Sequence, residues 1–475
     1  MATFKEYAQY DALGLSELIA RRQVTPQEVL EAAIERIEAV NPRINAVVQK
    51  TYDEARAVVG AGLPPGPLAG VPYLMKDLYA WQKGVRIGNG SRLFDGFVAD
   101  HDFTLVQRYK AAGLVMLGRT NTPEFGLNAT TEPVAYGPTR NPWNLERSAG
   151  GSSGGAAAAV AADMVPAAHG TDGGGSIRIP AAHCGLFGLK PTRGRNPAGP
   201  DVGEGWSGLA CGHALTRTVR DSAAFLDATS GPAPGDPYWA PPPTRPFLQE
   251  VGANPGQLRI ALEKEAISGT PVHPECLKGV EAAARLLEEL GHRVEEASPG
   301  FDVVGLRWAM DVIISANLRN GLDLRFDALK RSQREDDVER ITALWAEQGR
   351  RHTARDYARA LVIVHGVGRR FGEFFQGYDV LLSPTLADPP LPLGTPDMMS
   401  GDLDAYTERL FRMIPFTPQF NVTGGPAASL PLHWTSDGLP VGIQLGADFG
   451  NEALLLRLAA QLEAAQPWWN KRPNL

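Results

Sequence analysis

Two serines stand in glycine-rich segments whose composition suits nucleophilic catalysis. Ser152 lies within residues 150–155, and Ser176 follows the glycines at 173–175, 24 positions further along the chain. Successive glycines let the main chain approach a ligand closely, so several N–H groups could converge beside the Ser176 hydroxyl. Converging N–H groups form an oxyanion hole, which stabilises the charge that develops during acyl transfer.

A serine nucleophile requires a base, and the sequence offers three candidates. His169 and His183 each lie seven residues from Ser176, but no Asp is placed to orient either ring. Lys76 ends the apolar run 71–75. Burial at the end of a strand would lower the pKa of this amine and let it accept a proton. The residues alone leave all three candidates open.

Ser153 offers a second nucleophile, because residues 151–155 match the GxSxG pattern of a hydrolase elbow. Such an elbow should follow a strand directly, whereas residues 139–147 are turn-like, so Ser153 is the weaker candidate. A phosphate cradle is disfavoured because the Walker pattern is absent. A flexible linker is disfavoured because the apolar stretch 156–168 between the two glycine clusters favours a helix.

Helices and strands alternate around these segments. Apolar runs at 71–75, 114–117, 379–382 and 441–445 predict buried strands, and residues 103–112 and 274–290 predict helices. Thr25 begins a further helix with a capping box, and Asn41-Pro42 is predicted to end it. The alternation predicts an α/β fold around a mixed sheet. Residues 231–256 read as a linker, and residues 303–372 as a helical cap over a site.

Composition excludes several classes of protein. The chain has 475 residues and a net charge of −7, which does not supply the basic face that nucleic-acid binding needs. The N-terminus lacks a signal-peptide pattern, and no apolar run is long enough for a membrane span. The three cysteines form no metal-binding pattern and suit a reducing compartment. We therefore expect a cytoplasmic protein that contacts neither nucleic acid nor membrane.

Taken together, the motifs resemble the amidase signature family. A strand ending in Lys76-Asp77, the 150–155 segment and residues 172–178 follow the family's order and its spacing between paired serines. Further matches lie at 120–125, 137–143, 188–195, 420–427 and 438–442, so the resemblance covers nearly the whole chain. It implies a single α/β domain over residues 1–475, with a signature core at about 65–215. The fold would be a large, twisted mixed β-sheet covered by helices on both faces.

The resemblance also implies roles for individual residues. Ser176 would be the nucleophile, Ser152 the serine that relays its proton after a cis peptide bond, and Lys76 the base. The implied oxyanion hole consists of main-chain N–H groups, those of Gly173, Gly174, Gly175 and Ser176. The implied substrate-binding residues are Gly126, Leu127 and Asn128, and the implied supporting residues are Ser153, Asp172 and Arg178. No metal or organic cofactor is implied. Gly173 departs from the family, in which many members carry a larger residue, so we expect a looser loop there.

The activity implied is hydrolysis of small amides or carbamates through an acyl-enzyme. Residues 70–78 and 131–137 look closest to the branch that hydrolyses nylon oligomers, anilides and urethanes. One alternative is an amidotransferase A-type subunit that generates ammonia for tRNA-dependent amidation. Another is a non-catalytic binding protein on the same fold. The expected partner is a small-molecule substrate, and the expected state is a monomer or homodimer.

Overall fold

The computed structural model describes residues 4–475. Its strands are β1 (Val47–Lys50), β2 (Pro72–Lys76), β3 (Val115–Thr120), β4 (Arg140–Asn141), β5 (Asn144–Ser148), β6 (Ala167–Asp172), β7 (Phe187–Lys190), β8 (Cys211–Thr216), β9 (Arg259–Leu262), β10 (Arg293–Glu296), β11 (Val380–Pro384), β12 (Ala427–Trp434) and β13 (Pro440–Gly446). Eleven of them form one sheet in the order β1-β3-β2-β6-β8-β7-β12-β13-β11-β9-β10, and β4 and β5 form a separate hairpin.

The helices surround this sheet. They are α1 (Ala12–Ala20), α2 (Pro26–Ile44), α3 (Tyr52–Ala61), α4 (Thr104–Ala111), α5 (Gly154–Ala161), α6 (Arg178–Cys184), α7 (Val219–Thr229), α8 (Pro274–Glu289), α9 (Val303–Leu329), α10 (Arg340–Arg351), α11 (Ala354–Phe374), α12 (Leu403–Met413), α13 (Pro418–Thr423) and α14 (Glu452–Ala465). Among residues 4–475, no helix combines the length and the apolar composition that crossing a bilayer requires.

The sheet is mixed and covered on both faces, as predicted. Strand β2 runs parallel to β3 and β6, while β6 and β8 are antiparallel. Leu74 packs with residues of α2 and α5, whereas its neighbours Tyr73 and Met75 pack with residues of α4 and α7. Because successive side chains of a strand point to opposite faces, this division places helices on both sides of β2.

Parallel pairing of β2 and β6 determines where two of the predicted site residues lie. Lys76 is the last residue of β2, and Asp172 is the last residue of β6, its parallel neighbour. The carboxyl ends of parallel strands meet at one edge of a sheet, which is where ligands bind in open α/β sheets. Two residues nearly a hundred positions apart in sequence therefore reach the same edge.

Two predicted boundaries are wrong. Helix α2 begins with the predicted capping box at Thr25, but it continues through Pro42 to Ile44. A proline lacks the N–H that would bond to the residue four positions earlier, but in the last turn little helix follows for that break to disrupt. The helix ends instead at Asn45, whose left-handed backbone has a φ of 52°. Residues 139–147, read as a turn, contain most of the hairpin of β4 and β5.

The predicted helix over 156–168 is also wrong in its second half. Helix α5 ends at Ala161, and strand β6 begins at Ala167. Between them, Asp163 adopts a left-handed φ of 54°, and Pro166 cannot continue a helix. The alanines at 167 and 168 are fully buried in the sheet. Pairing with β2 and β8 thus overrides the local helix preference of alanine.

Candidate active site

Lys76 makes a hydrogen bond to the first serine. Its Nζ lies 2.7 Å from Ser152 Oγ and 2.8 Å from Thr171 Oγ1, and the side chain is fully buried. Burial lowers the pKa of Lys76 well below its ordinary value, while the carboxylate of Asp172 acts in the opposite direction. A neutral amine in contact with a serine hydroxyl is a competent proton acceptor.

Arg119 holds the strand end from which Lys76 projects, and sequence reasoning missed it. This buried residue of β3 donates from Nη1 to the Lys76 carbonyl oxygen at 2.9 Å and from Nη2 to the Ala80 carbonyl at 3.1 Å. Because both acceptors are neutral carbonyls, Arg119 fixes the main chain without pairing with a charge there. Arg119 lies beyond the strand predicted at 114–117, so no sequence pattern marked it.

Ser153 braces the two serine-bearing segments against each other. Its buried Oγ donates to the Thr171 carbonyl at 3.2 Å and accepts from the Thr171 N–H at 3.3 Å. Its N–H donates to the Ser176 carbonyl at 3.2 Å. Since this hydroxyl is committed to the main chain of β6, Ser153 is poorly placed to act as an elbow nucleophile. Thr171, which also contacts Lys76, was not predicted.

Ser176 stands half-buried between β6 and α6. Its hydroxyl has no hydrogen-bond partner among residues 4–475, and neither do the main-chain N–H groups of Gly173, Gly174 and Ser176. The N–H of Gly175 differs, because it donates to Asp172 Oδ1 at 2.8 Å. Three of the four predicted oxyanion donors are thus unpaired, and the Gly175 N–H is already occupied by the protein.

Asp172 holds the loop that carries Ser176 in place through buried hydrogen bonds. Its carboxylate accepts from Arg178 Nε at 3.0 Å and Nη2 at 2.9 Å, and from Asn421 Nδ2 at 2.8 Å, and all three side chains are buried. Burial opposes ionisation, but the guanidinium and the amide hold the pKa of Asp172 below its ordinary value. A bidentate pair of this kind orients both partners. Asn421 lies in a segment that sequence analysis matched without assigning it a role.

The three residues predicted to bind substrate lie in different surroundings. Gly126 is half-buried, and a Cβ added to it would lie 3.2 Å from Ser152 Oγ, so its backbone borders the site. Leu127 is buried, and its carbonyl accepts from Tyr406 Oη at 2.8 Å. Asn128 is also buried and donates to the Pro396 carbonyl at 3.1 Å. Leu127 and Asn128 therefore hold the loop that carries Gly126.

The two candidate histidines make no contact with the serines. Neither imidazole forms a hydrogen bond to Ser152 or Ser176 within residues 4–475. Burial lowers the pKa of His169 well below its ordinary value and that of His183 to about 4. Both rings are therefore neutral core residues, and among the three candidate bases only Lys76 touches a serine.

Comparison with known proteins agrees with this arrangement. The amidase family model matches residues 28–456. The 6-aminohexanoate-cyclic-dimer hydrolase of Paenarthrobacter ureafaciens is 42% identical over 484 aligned positions, which cover 98% of this chain and 96% of that protein. A solved structure of 6-aminohexanoate cyclic dimer hydrolase superimposes with a TM-score of 0.94 at 40% identity, covering 98% of this chain and 99% of the other.

A bacterial aryl acylamidase of the amidase signature family also has the same fold. Its structure superimposes with a TM-score of 0.89 at 31% identity, covering 98% of this chain and 99% of the other. Sequence and overall structure therefore agree over nearly the whole chain. The chain belongs to the amidase signature family of hydrolases that act on amide C–N bonds.

Proposed function

We propose that this protein is a serine amidohydrolase in which Ser176 is the nucleophile, Ser152 the proton relay and Lys76 the base. The observation that carries the proposal is the 2.7 Å contact between the buried Lys76 amine and Ser152 Oγ. Burial keeps this amine neutral closer to physiological pH than an ordinary lysine. Ser176 lies on the loop that carries three unpaired N–H groups, and its carbonyl accepts from the N–H of Ser153, the residue after Ser152.

The first half-reaction forms an acyl-enzyme. Ser176 Oγ attacks the substrate carbonyl while its proton passes to Ser152, whose own proton passes to Lys76 Nζ. The N–H groups of Gly173, Gly174 and Ser176 stabilise the oxyanion that results. The C–N bond then breaks, and the leaving amine takes the proton back from Lys76 through Ser152.

The second half-reaction repeats these proton transfers with water. Water loses a proton to the Ser152–Lys76 relay, attacks the ester carbonyl and releases the acid, and the proton returns to Ser176 Oγ. An amide yields an amine and a carboxylic acid. A carbamate yields an amine and a carbonic half-ester, which loses carbon dioxide. We propose small amides and carbamates as substrates, since the relatives are named for a cyclic amide and for aryl acylamides.

We further propose that the helices at 303–374 (α9, α10 and α11) cap this site within one domain over residues 1–475. The support is direct packing at the oxyanion loop. Met310 of α9 places its methyl group 3.9 Å from the position of a Cβ on Gly174. The capping helices thus reach the loop that would bind the reacting carbonyl.

Two variants and a covalent probe test the assignment. Ser176→Ala should lower kcat/KM for 4-nitroacetanilide by at least about 10⁴-fold and abolish labelling by a fluorophosphonate. Lys76→Arg, which stays protonated, should cost about 10³-fold because the relay then has no base. Ser176→Ala should unfold at the same urea concentration as a surface control, Lys83→Arg. Retained turnover by Ser176→Ala would contradict the assignment.

The purified chain also separates the alternatives. Hydrolysis of simple amides without partner subunits supports the amidohydrolase over an amidotransferase subunit, and absence of labelling at Ser176 would favour a binding protein. The pH profile provides a further check. Since Lys76 must be neutral, kcat/KM should fall as the pH drops through its lowered pKa. An acid limb that is flat would contradict lysine as the base.

A further inference from the structure

An indole ring lies directly against the start of the oxyanion loop. Trp206 belongs to residues 203–210, here called the Trp206 loop, which precedes β8. A Cβ added to Gly173 would lie 2.8 Å from both Cε3 and Cζ3 of Trp206, well inside van der Waals contact. The ring therefore occupies the space that a side chain at position 173 would need. We expected a looser loop at this glycine, and the structure places an aromatic residue from elsewhere in the chain over it.

The Trp206 loop holds this ring in an uncommon backbone conformation. Trp206 and Ser207 have φ angles of 49° and 52°, in the left-handed region that residues other than glycine rarely adopt. Such a conformation persists only where the surroundings enforce it, and it is found preferentially at functional sites. A bridge between Gly205 and Ala210 closes the loop, and the Leu209 N–H donates to the Trp206 carbonyl at 3.2 Å.

The helices at 303–374 attach to the same loop through a polar chain. Ser207 Oγ and Tyr357 Oη share a hydrogen bond, and Asn317 Nδ2 donates to the same Tyr357 hydroxyl at 3.0 Å. Tyr357 lies on α11 and Asn317 on α9. The indole is thus presented by a loop that is fixed at its base and tied to two helices, which is how a binding wall is preorganised.

Two aromatic residues lie next to the segments that carry the proposed reacting groups. Trp206 is half-buried beside Gly173, three residues before Ser176. Phe125, also half-buried, immediately precedes Gly126, which borders Ser152. Planar groups gain stacking and edge contacts with such rings beyond the area they bury, whereas aliphatic chains gain only the buried area.

We propose that Trp206 is a specificity-determining residue that stacks on the planar group of aromatic amides and carbamates and so favours them over aliphatic ones. This inference rests on the amidohydrolase function proposed above. The ring acts on selectivity and takes no part in proton transfer, because its N–H lies outside the Lys76–Ser152 relay. Gly173 is needed for this position of the ring, because any side chain there would displace the indole.

The test is the ratio of kcat/KM for 4-nitroacetanilide to that for hexanamide. Trp206→Leu, which keeps an apolar side chain but removes the ring, should lower this ratio about tenfold. Trp206→Phe should keep most of it. The matched control is Trp239→Leu, because Trp239 is a surface tryptophan with 57% of its area exposed, and this variant should leave the ratio unchanged.

Two outcomes decide the inference. A fall in the ratio caused by slower anilide hydrolysis supports it, while an unchanged ratio, including an equal loss on both substrates, overturns it. The rate of fluorophosphonate labelling at Ser176 shows which proposal has failed. Normal labelling with an unchanged ratio rejects only the role of Trp206, whereas no labelling of the wild-type protein rejects the amidohydrolase itself.

A double variant tests whether Gly173 and Trp206 affect substrate preference through the same contact, which a purely structural role of Trp206 would not predict. Gly173→Ala should displace the indole and lower the anilide-to-hexanamide ratio in the wild-type background. In the Trp206→Leu background the same substitution should change the ratio less than twofold, because the ring it displaces is gone. Equal effects of Gly173→Ala in the two backgrounds would overturn the proposed coupling.

Discussion

The two glycine-rich loops serve one reaction in the proposed mechanism but are packed in different ways, and the first is enclosed mainly by main chain. A Cβ on Gly151 would lie 2.4 Å from the carbonyl oxygen of Thr130, and a Cβ on Gly155 would lie 2.4 Å from the amide nitrogen of Asn121. Backbone atoms in a buried sheet and its loops cannot move aside without breaking hydrogen bonds. A side chain at Gly151 or Gly155 would therefore force the surrounding backbone to shift.

The second loop is enclosed by side chains. Gly173 meets the ring of Trp206, and Gly174 has only the methyl group of Met310 within 4 Å of its Cβ position, at 3.9 Å. Side chains can change rotamer or be replaced, so this surface can vary while the fold stays the same. The proposed relay serine therefore lies on a loop confined mainly by main chain, whereas side chains that can change surround the proposed oxyanion loop and can set specificity.

The largest expected effect is a loss of stability when the Arg178–Asp172 ion pair that supports the second loop is broken. Arg178→Leu leaves the Asp172 carboxylate buried without its ion-pair partner, so the free energy of unfolding should fall by about 3–5 kcal/mol. Urea denaturation measures this loss. The control Arg21→Leu removes an exposed pair with Glu17 and should cost about 0.5 kcal/mol or less. If both variants unfold alike, the second loop has no rigid base and the contrast between the loops is lost.

Gly151→Ala should have the next largest effect. Its new methyl group meets the main chain of Thr130, so we expect a loss of about 2 kcal/mol of stability, together with loss of activity as Ser152 shifts. Urea denaturation and kcat/KM check the two parts. Truncating Thr130 to Ala should not rescue the variant, because the clash is with backbone atoms. Rescue would show that the first loop is as adaptable as the second.

A smaller effect concerns how the helices at 303–374 attach to the site. The Glu339 N–H, at the start of α10, donates to Glu124 Oε2 at 2.7 Å, and both carboxyls are buried. Burial raises the pKa of Glu124, and burial followed by the charge of Glu124 raises the pKa of Glu339. Ser91 and Arg92 face this pair and favour its ionised form.

The sign of the pH dependence follows from these raised pKa values. Above about pH 4.3 the unfolded chain releases these protons while the folded chain keeps them, so stability falls as the pH rises toward the raised values. Glu339→Gln removes one proton-binding group and its repulsion with Glu124. The decrease in the free energy of unfolding between about pH 5 and about pH 8 should therefore become smaller by about 1 kcal/mol. Urea midpoints at the two pH values measure it. The exposed control Glu335→Gln should leave the slope unchanged; an equal change in both variants would contradict the attachment.

The smallest effect is expected at Gly174. Its Cβ position has open space up to the Met310 methyl group, so Gly174→Ala should change the free energy of unfolding by about 0.5 kcal/mol or less. Thermal or urea denaturation against Gly173→Ala provides the comparison within the same loop. A larger loss at position 174 than at position 173 would show that side-chain packing does not govern this loop.

Local patterns predicted the elements that carry the chemistry. The apolar run before Lys76, the glycines around Ser152 and Ser176 and the capping box at Thr25 all depend on residues close in sequence, and the structure has a strand, two loops and a helix there. One error arose where distant contacts compete, because Ala167 lies in a strand that pairs with β2 and β8. The other is local, because the Gly175 N–H is taken by the carboxylate of Asp172, three residues earlier.

The sequence by itself determined which residue types are available for acyl transfer and which strand or loop each one occupies, because those features depend on short-range periodicity and on glycine. Only the tertiary structure decided that Lys76, rather than either histidine, contacts a serine. Parallel pairing of β2 and β6 brings Lys76 to Thr171, and Ser153 ties the segment that carries Ser152 to the same Thr171. The tertiary structure also decided that Trp206 covers Gly173. No local pattern encodes a contact between a loop and a glycine more than thirty positions away; the packing of the whole chain sets it.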